Sequence, residues 1–394
     1  MSSSNDPGAV ARPPLPVAAA AFVSSFDRFA VSPLLILVAV DLGATLTQTL
    51  AIASTYYFAY GVSQPLWGLL SDRFGRLRLM RLTLLGAALM GIVSASVPGL
   101  TTLILARAVT GALYGAVIPA ALTYVGDTVS EARRQPALAD LMAAVACGTA
   151  LATALSGVIG DSAGWRVVFA APVLVSIASA LALGRLPEPP RAAQPGLLPT
   201  LGLVLRNRWV LAVLLLVFVE GAVVLGVLTL LAPALQSQGS GAAAAGLATA
   251  AYGVGVIVTS RLVRVLVRRV SMPGLMGLGG AASVVGYAIA AVHTSVWTVV
   301  AVAVALLLGV TWSFLHSSLQ TWATSVVPAA RGTVVSLFAG FLFAGSAVGA
   351  AVGGPLGDAQ QWTPLFGGTA AVAFLLTVAA GFARLRYESP GAPD

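Results

Sequence analysis

Predominantly apolar stretches of about twenty residues, the length a helix needs to cross a hydrocarbon layer about 30 Å thick, recur along the whole of this 394-residue chain. Twelve runs are separated by charge, proline or glycine clusters: 16–40, 48–70, 79–97, 101–125, 136–160 and 165–184, then 209–235, 242–263, 272–292, 296–322, 332–357 and 363–383. Stretches such as Leu211 to Val219 lack the polar and apolar alternation of a transmembrane β-strand. Only 9% of the residues are charged and 58% are hydrophobic, whereas a soluble domain carries about 25% charged residues. The expected class is an all-α membrane protein with twelve transmembrane helices in the lipid bilayer. The 42 glycines and 22 prolines are dispersed through the apolar runs, a pattern that spanning helices tolerate and disordered chains lack.

The arginines test that count independently, because positive residues collect in cytoplasmic loops. With the N-terminus inside, 18 of the 21 arginines fall in inside segments, Arg166 falls outside, and Arg28 and Arg107 fall within helices. Both termini are therefore expected in the cytoplasm. The net charge of +8 reads as a topology signal and as contact with anionic lipid, not as a nucleic-acid footprint. The first run is too long for a cleavable leader and contains Asp27 and Arg28, so it reads as the first helix. There is no lysine, hence no Gly-Lys-Ser/Thr phosphate loop. One cysteine, Cys147, and two histidines, His293 and His316, exclude an internal disulfide and leave too few soft ligands for zinc or haem. Neither a cofactor nor a metal is expected.

The longest polar interruption runs from Arg185 to Arg208 and contains Pro187, Pro189, Pro190, Pro195 and Pro199. It divides the chain into a tail (1–15), a six-helix bundle (16–184), a cytoplasmic linker (185–208), a second six-helix bundle (209–383) and a second tail (384–394). Landmarks repeat across that division. Asp27 and Glu220 are 193 apart, as are Arg76 and Arg269, while Arg134/Arg331 and Trp165/Trp362 are 197 apart. A near-constant offset implies duplication, and two similar bundles can rock about a central site.

Between the second and third runs the chain reads Gly68-Leu-Leu-Ser-Asp72-Arg73-Phe-Gly75-Arg76-Leu-Arg78. This resembles the G-x-x-x-D-R-x-G-R motif of the major facilitator superfamily at the same loop. Chemically it is a tight turn in which Gly75 permits a backbone shape that a side chain obstructs, and the arginines can clamp carboxylates. The resemblance implies two pseudo-symmetric six-helix bundles working by alternating access, with Asp72 latching them on the cytoplasmic side. Asp127 and Glu131 are candidate partners for Arg73 or Arg76. In the fourth run, Leu103-x-x-x-Arg107-x-x-x-Gly111-x-x-x-Gly115 resembles the second motif, whose arginine is associated with proton coupling in drug antiporters; Thr110 replaces its usual glutamine. The antiporter motif of the fifth helix is degraded, since Thr153 stands where proline is usual. Trp165-Arg166 and Arg331-Gly332 also look like the efflux branch. What the resemblance implies is a monomeric twelve-helix drug:proton antiporter of a bacterial plasma membrane, exporting small organic or amphipathic compounds. A proton symporter or facilitator importing a small nutrient is the alternative, and no enzyme chemistry is called for.

A charge at the bilayer centre costs about 2.5–3.5 kcal/mol on insertion scales, so each one demands a reason. Asp27 and Glu220 each lie about 11 residues, or roughly 16 Å, from the cytoplasmic end of their helices. At that depth a carboxylate loses hydration, which penalises its charged form, as a proton carrier requires. Asp27, Glu220 and Arg107 are the proton-coupling candidates. The competing reading is a fixed ion pair, Asp27 with Arg107 or Glu220 with Arg28. Adjacent Asp27 and Arg28 point about 100° apart. Arg28, Tyr56, Tyr60, Tyr114, Trp312, His316 and Gln320 are substrate-binding candidates, and Gly68, Asp72, Arg73, Gly75, Arg76 and Asp127 form the gate. Gly345, Gly349 and Gly353 repeat every four residues and suggest a sliding face between the halves. Cys147 reads as a small packed residue.

Overall fold

The computed structural model describes residues 12–189, 197–292 and 296–387, apart from the side chains of Asp72 and of residues 197–200. The distal parts of both tails, Pro190, Pro195 and His293 lie outside the described residues. Twelve long helices follow in chain order: α1 (Leu15–Leu42), α2 (Leu46–Phe74), α3 (Arg76–Ser96), α4 (Leu100–Thr128), α5 (Glu131–Ala163), α6 (Trp165–Leu183), α7 (Arg208–Ser237), α8 (Ala242–Leu266), α9 (Met272–Ala290), α10 (Trp297–Val326), α11 (Arg331–Asp358) and α12 (Trp362–Leu385). A short helix, Leu197–Leu205, occupies the connection between α6 and α7. Eleven of the twelve are both long and apolar enough to cross a membrane. α2 qualifies by its 29 residues but is less apolar, because it carries Gln48, Gln64 and three tyrosines.

Packing repeats with a period of six helices. α1 lies on α5 as α7 lies on α11; α2 lies on α4 as α8 lies on α10; α3 lies on α6 as α9 lies on α12. Two seams join the halves, α2 against α11 and α5 against α8. Glycine allows the close approach: a Cβ at Gly61 would stand 2.8 Å from the carbonyl oxygen of Gly340, and Gly246 abuts the Thr153 carbonyl. The stripe Gly345, Gly349, Gly353 serves a different contact from the one expected. A Cβ at Gly345 or Gly349 would overlap the carbonyl oxygens of Phe218 and Ala222 in α7, and one at Gly353 would meet Leu230. The stripe therefore packs α11 on α7 inside the second half. Cys147 is likewise exposed, not packed.

Backbone irregularity is confined to four helices. α1 tightens into a 3-10 turn at Ser32–Leu34, and α4 breaks between Tyr114 and Val117. α7 and α10 each contain a π-type turn, Ala222–Gly226 and Trp312–His316. The other eight run without interruption. Such breaks need extra partners for freed backbone groups, so within a membrane they are tolerated only beside protein or a cavity.

The end of the molecule opposite the arginine-rich loops is sealed across the seams. Asp358, at the end of α11, accepts hydrogen bonds from the Leu46 and Thr47 amides (2.7 and 3.1 Å) at the start of α2. Asp161, at the end of α5, accepts them from Ala242 and Ala243 (3.2 and 2.8 Å) at the start of α8. Each carboxylate caps the N-terminus of a helix in the other half, where unpaired amides and the helix dipole favour negative charge. Between them, Ser32 donates to the Thr229 carbonyl at 2.8 Å, Gln236 donates to the Pro33 carbonyl at 3.1 Å, and the Tyr57 and Thr229 hydroxyls meet at 3.1 Å.

A cap of this kind contributes about 1 kcal/mol, so removing both shifts the equilibrium toward opening by about 2 kcal/mol, roughly thirtyfold. In a Cys147→Ser background with Leu228→Cys as reporter, Asp161→Ala with Asp358→Ala is expected to accelerate labelling by a membrane-impermeant maleimide by about that factor. Unchanged labelling would show that the caps do not hold the seal.

Candidate functional site

Each half places one acid of its first helix against one base of its fourth. In the first half, α1 brings Asp27 and α4 brings Arg107. Arg107 donates from Nη1 to Oδ1 at 2.9 Å and from Nη2 to Oδ2 at 2.7 Å, and also to the Asp27 carbonyl at 3.2 Å. Both side chains are buried, with the guanidinium between the rings of Tyr56 and Phe169, 5.0 and 4.6 Å from their centroids. Both carboxylate oxygens are thereby occupied, by a fork whose geometry matches them.

In the second half, α7 brings Glu220 and α10 brings His316. Glu220 Oε2 lies 3.1 Å from His316 Nδ1, while Oε1 is buried without a hydrogen-bond partner. Glu220 has no exposed surface, whereas His316 keeps 7% of its own. The imidazole stacks on Trp312 with centroids 3.7 Å apart and sits 5.5 Å from Phe338. His316 closes the π-type turn of α10, and the turn in α7 begins two residues after Glu220. The pairing of Glu220 with Arg28 does not form.

Arg28 is left over. Its only hydrogen bond among the described residues runs from Nη2 to Ser25 Oγ at 3.3 Å, and its Nε is buried without a partner. Three rings surround it, Phe29 at 5.0 Å and Tyr60 and Phe343 at 5.1 Å. Contacts of this kind contribute about 0.5–1 kcal/mol each when exposed and more when desolvated, which offsets the insertion cost but leaves the N–H donor unmet.

A small cavity lies between the halves, lined in part by Phe29, whose ring is 5.0 Å from the Arg28 guanidinium. Its lining also includes the hydroxyl-bearing residues Ser32, Tyr57, Thr149, Thr153, Thr229, Thr249 and Tyr252. Tyr252 is within electrostatic reach of both Arg28 and Glu220. Among the other substrate candidates, Tyr56 and Tyr60 stack on each other with centroids 6.2 Å apart. Tyr114 faces away from the cavity: its hydroxyl meets Ser176 of α6 at 2.7 Å, inside the first half. Trp312 is half-buried, and Gln320 is exposed.

At the arginine-rich end, Gly75 takes φ +99° at the turn between α2 and α3. A Cβ there would stand 3.0 Å from Glu188 Oε2, because Glu188 fills the turn and accepts from the amides of Arg76, Leu77 and Arg78 at 2.6, 3.1 and 3.2 Å. Arg76 forms an ion pair with Asp127 of α4. Glu131 instead opens α5. Arg73 lies over the Phe74 ring at 5.5 Å, and a Cβ at Gly68 would stand 4.0 Å from Ser336 Oγ of α11. The Asp72 side chain lies outside the described residues.

The family model of the Major Facilitator Superfamily matches residues 17–341 and 230–394. The chain belongs to that superfamily. Solved transporters of the superfamily fold superpose over nearly the whole chain. The xylose transporter XylE from E. coli, in a partially occluded inward-open conformation, gives a TM-score of 0.77 at 13% identity, covering 96% of this chain and 98% of its own. The nucleoside transporter NupG gives 0.74 at 16% identity over 94% of this chain and 100% of its own. Curated relatives match in part. A triacylglyceride transporter of Mycolicibacterium hassiacum is 29% identical over 184 residues, 44% of this chain and 33% of its own. A puromycin resistance protein of Streptomyces alboniger is 31% identical over 127 residues, 32% and 25% of the two chains. The fatty acid resistance protein FarB of Neisseria gonorrhoeae is 27% identical over 161 residues, 41% and 32%. The matched part of this superfamily member thus spans about a quarter to a third of those relatives' length.

Sequence reasoning missed three features of this superfamily member. Glu188 gave no signal, since a lone acid in a proline-rich linker has no periodicity to place it. Asp161 and Asp358 were visible as a pair 197 apart, the same offset as Trp165/Trp362, and that was the available clue. The union of Glu220 with His316 was hidden by the neutral appearance of histidine.

Breaking a buried pair leaves a charge without its partner, at a cost of about 3–5 kcal/mol. Arg107→Met is expected to lower stability by about that much in denaturant unfolding of the detergent-purified protein. Arg107→Met with Asp27→Asn recovers most of the loss; equal loss in the single and double variants would mean that the ion pair is not what holds α1 to α4.

Proposed function

We propose that the chain exports small organic, amphipathic compounds in exchange for protons by alternating access, with the Glu220–His316 couple as the place where the proton is taken up and released. The observation that carries the reading is the inequality of the two acid–base pairs. Asp27 has both oxygens held by a guanidinium, whereas Glu220 keeps one buried oxygen free beside an imidazole, a group able both to accept and to donate a proton. His316 keeps some exposed surface and Glu220 none, and in this reading the proton reaches the carboxylate through the imidazole. Asp27 and Arg107 act in this cycle as a fixed, mutually neutralised pair while the second half changes.

The reading puts the arginine-rich end in the cytoplasm of a bacterial cell, the protein a monomer in its plasma membrane with both termini inside. The sealed end then faces outward. Asp72, with Arg73, Arg76 and Asp127, latches the cytoplasmic end in the opposite state. The names of the puromycin and fatty acid resistance relatives support removal of compounds from the cell. The energetics suffice: a potential near 100 mV supplies about 2.3 kcal/mol per charge and one pH unit about 1.4, together roughly two to three decades of substrate gradient.

The test is proton movement in proteoliposomes loaded with a pH-sensitive dye and challenged with cationic, zwitterionic and anionic amphipathic compounds. Wild-type protein is expected to move protons against at least one compound, with the sign of exchange. Glu220→Gln is expected to abolish that movement while the compound still raises thermal stability. Proton flux that survives Glu220→Gln would remove the couple from the cycle, and flux with the sign of co-transport would replace export by import.

A further inference from the structure

Of the four charged side chains at the depth of the helix breaks, three are accounted for by one another or by His316, and Arg28 is not. Its burial exceeds nine-tenths, its Nε has no partner, and no carboxylate among the described residues pairs with it. A structural role does not require a guanidinium there: an apolar side chain would fill the space between Phe29, Tyr60 and Phe343 without an unmet donor. The position is also telling. Phe29 and Tyr60 come from the first half and Phe343 from the second, so the cation lies on the α2–α11 seam, and its neighbours Phe29 and Tyr57 continue directly into the hydroxyl-lined cavity.

We propose that Arg28 is the head-group contact for an organic monoanion, a carboxylate carried on an apolar or aromatic body. This deepens the export reading above and rests on it only for the direction of movement. One unmatched positive charge calls for one negative charge. The planar guanidinium presents paired donors that fit a carboxylate, and a cation would be repelled while finding Glu220 already engaged by His316. The surrounding rings take the apolar body, and the Thr153 hydroxyl, buried without a partner in the cavity lining, offers polar contact to a substituent. Arg28 lies on α1, roughly 20 Å from its nearer end, beyond the reach of a lipid head group fixed at the bilayer surface.

The test compares three probes with one apolar body, 4-phenylbutyrate, 4-phenylbutylammonium and 4-phenylbutanol, on full-length protein in phosphatidylcholine nanodiscs, a membrane that holds no anionic lipid. Wild-type protein is expected to be stabilised against heat by phenylbutyrate and by neither of the others. Arg28→Gln is expected to weaken phenylbutyrate binding at least tenfold, and Arg28→Lys, which keeps the charge but not the fork, to fall between. Should Arg28→Gln fail to fold, Phe343→Leu, which opens the ring cage without touching the charge, is expected to weaken binding several-fold. Binding that is equal for all three probes, or unchanged in Arg28→Gln or Phe343→Leu, overturns the assignment. Arg28-dependent binding of phenylbutyrate without proton exchange would sustain the site and remove the export reading; proton exchange with a compound that ignores Arg28 would do the reverse.

Discussion

A hydrocarbon layer holds no water to solvate a charge, and the organisation of this protein follows from how its few buried charges are matched. The first helix of each half supplies an acid and the fourth helix a base, so the arrangement of the pair repeats while its chemistry differs. Asp27 meets a guanidinium, and Glu220 meets an imidazole. On the proposed function, the same architecture yields one pair that anchors and one that exchanges. The π-type turns fall in the helices of the second pair, whereas the breaks in α1 and α4 are a 3-10 turn and a two-residue gap. The π-type turns thus accompany the Glu220–His316 pair.

The rest of the fold arranges access to those pairs. Glycine at the seams and along α11 brings backbones close enough that dispersion and carbonyl contacts replace side-chain packing, the usual means of helix association where lipid is as apolar as leucine. The two seams are related by the duplication, and so are their caps, Asp161 for one and Asp358 for the other. Symmetric caps let both seams open together at that end, as rocking of two rigid bundles requires.

The twelve spans were legible because each is a single apolar block whose limits are charges, glycines or prolines; observed helices extend those blocks by a few residues, most at the start of α5, where Glu131 to Gln135 continue the helix into the polar loop. The Gly68–Arg78 turn was legible because its residue types are demanded by its shape, Gly75 above all. Pairings across helices were not. Whether Glu220 meets Arg28 or His316 depends on the rotation of α7 against α10, which a π-type turn alters by adding a residue, and no periodicity records it. The glycine stripe of α11 was seen as a close-approach surface but assigned to the wrong neighbour, since spacing states that a helix comes close and not which helix. Tyr114 was placed in the cavity by its helix, yet the break after it turns its hydroxyl to Ser176.

α7 carries both Glu220 and residues of the seal. Glu220, the π-type turn at Ala222–Gly226, Thr229 and Gln236 follow one another along it. Thr229 binds Ser32 and Tyr57, and Gln236 binds the Pro33 carbonyl, so three of the contacts that close the sealed end lie on the helix whose midpoint faces His316. The nine residues from Glu220 to Thr229 span about 13 Å. A π-type turn holds one residue more than the regular helix on either side, and shifting it by a residue rotates whatever lies beyond. On the proposed function, a change of charge at Glu220 would alter the attraction between α7 and α10 at the position where that extra residue is stored, and Thr229 lies just past it. The link from proton to seal would then need no chain of intermediates through the bundle: it would be the length of α7 between two side chains.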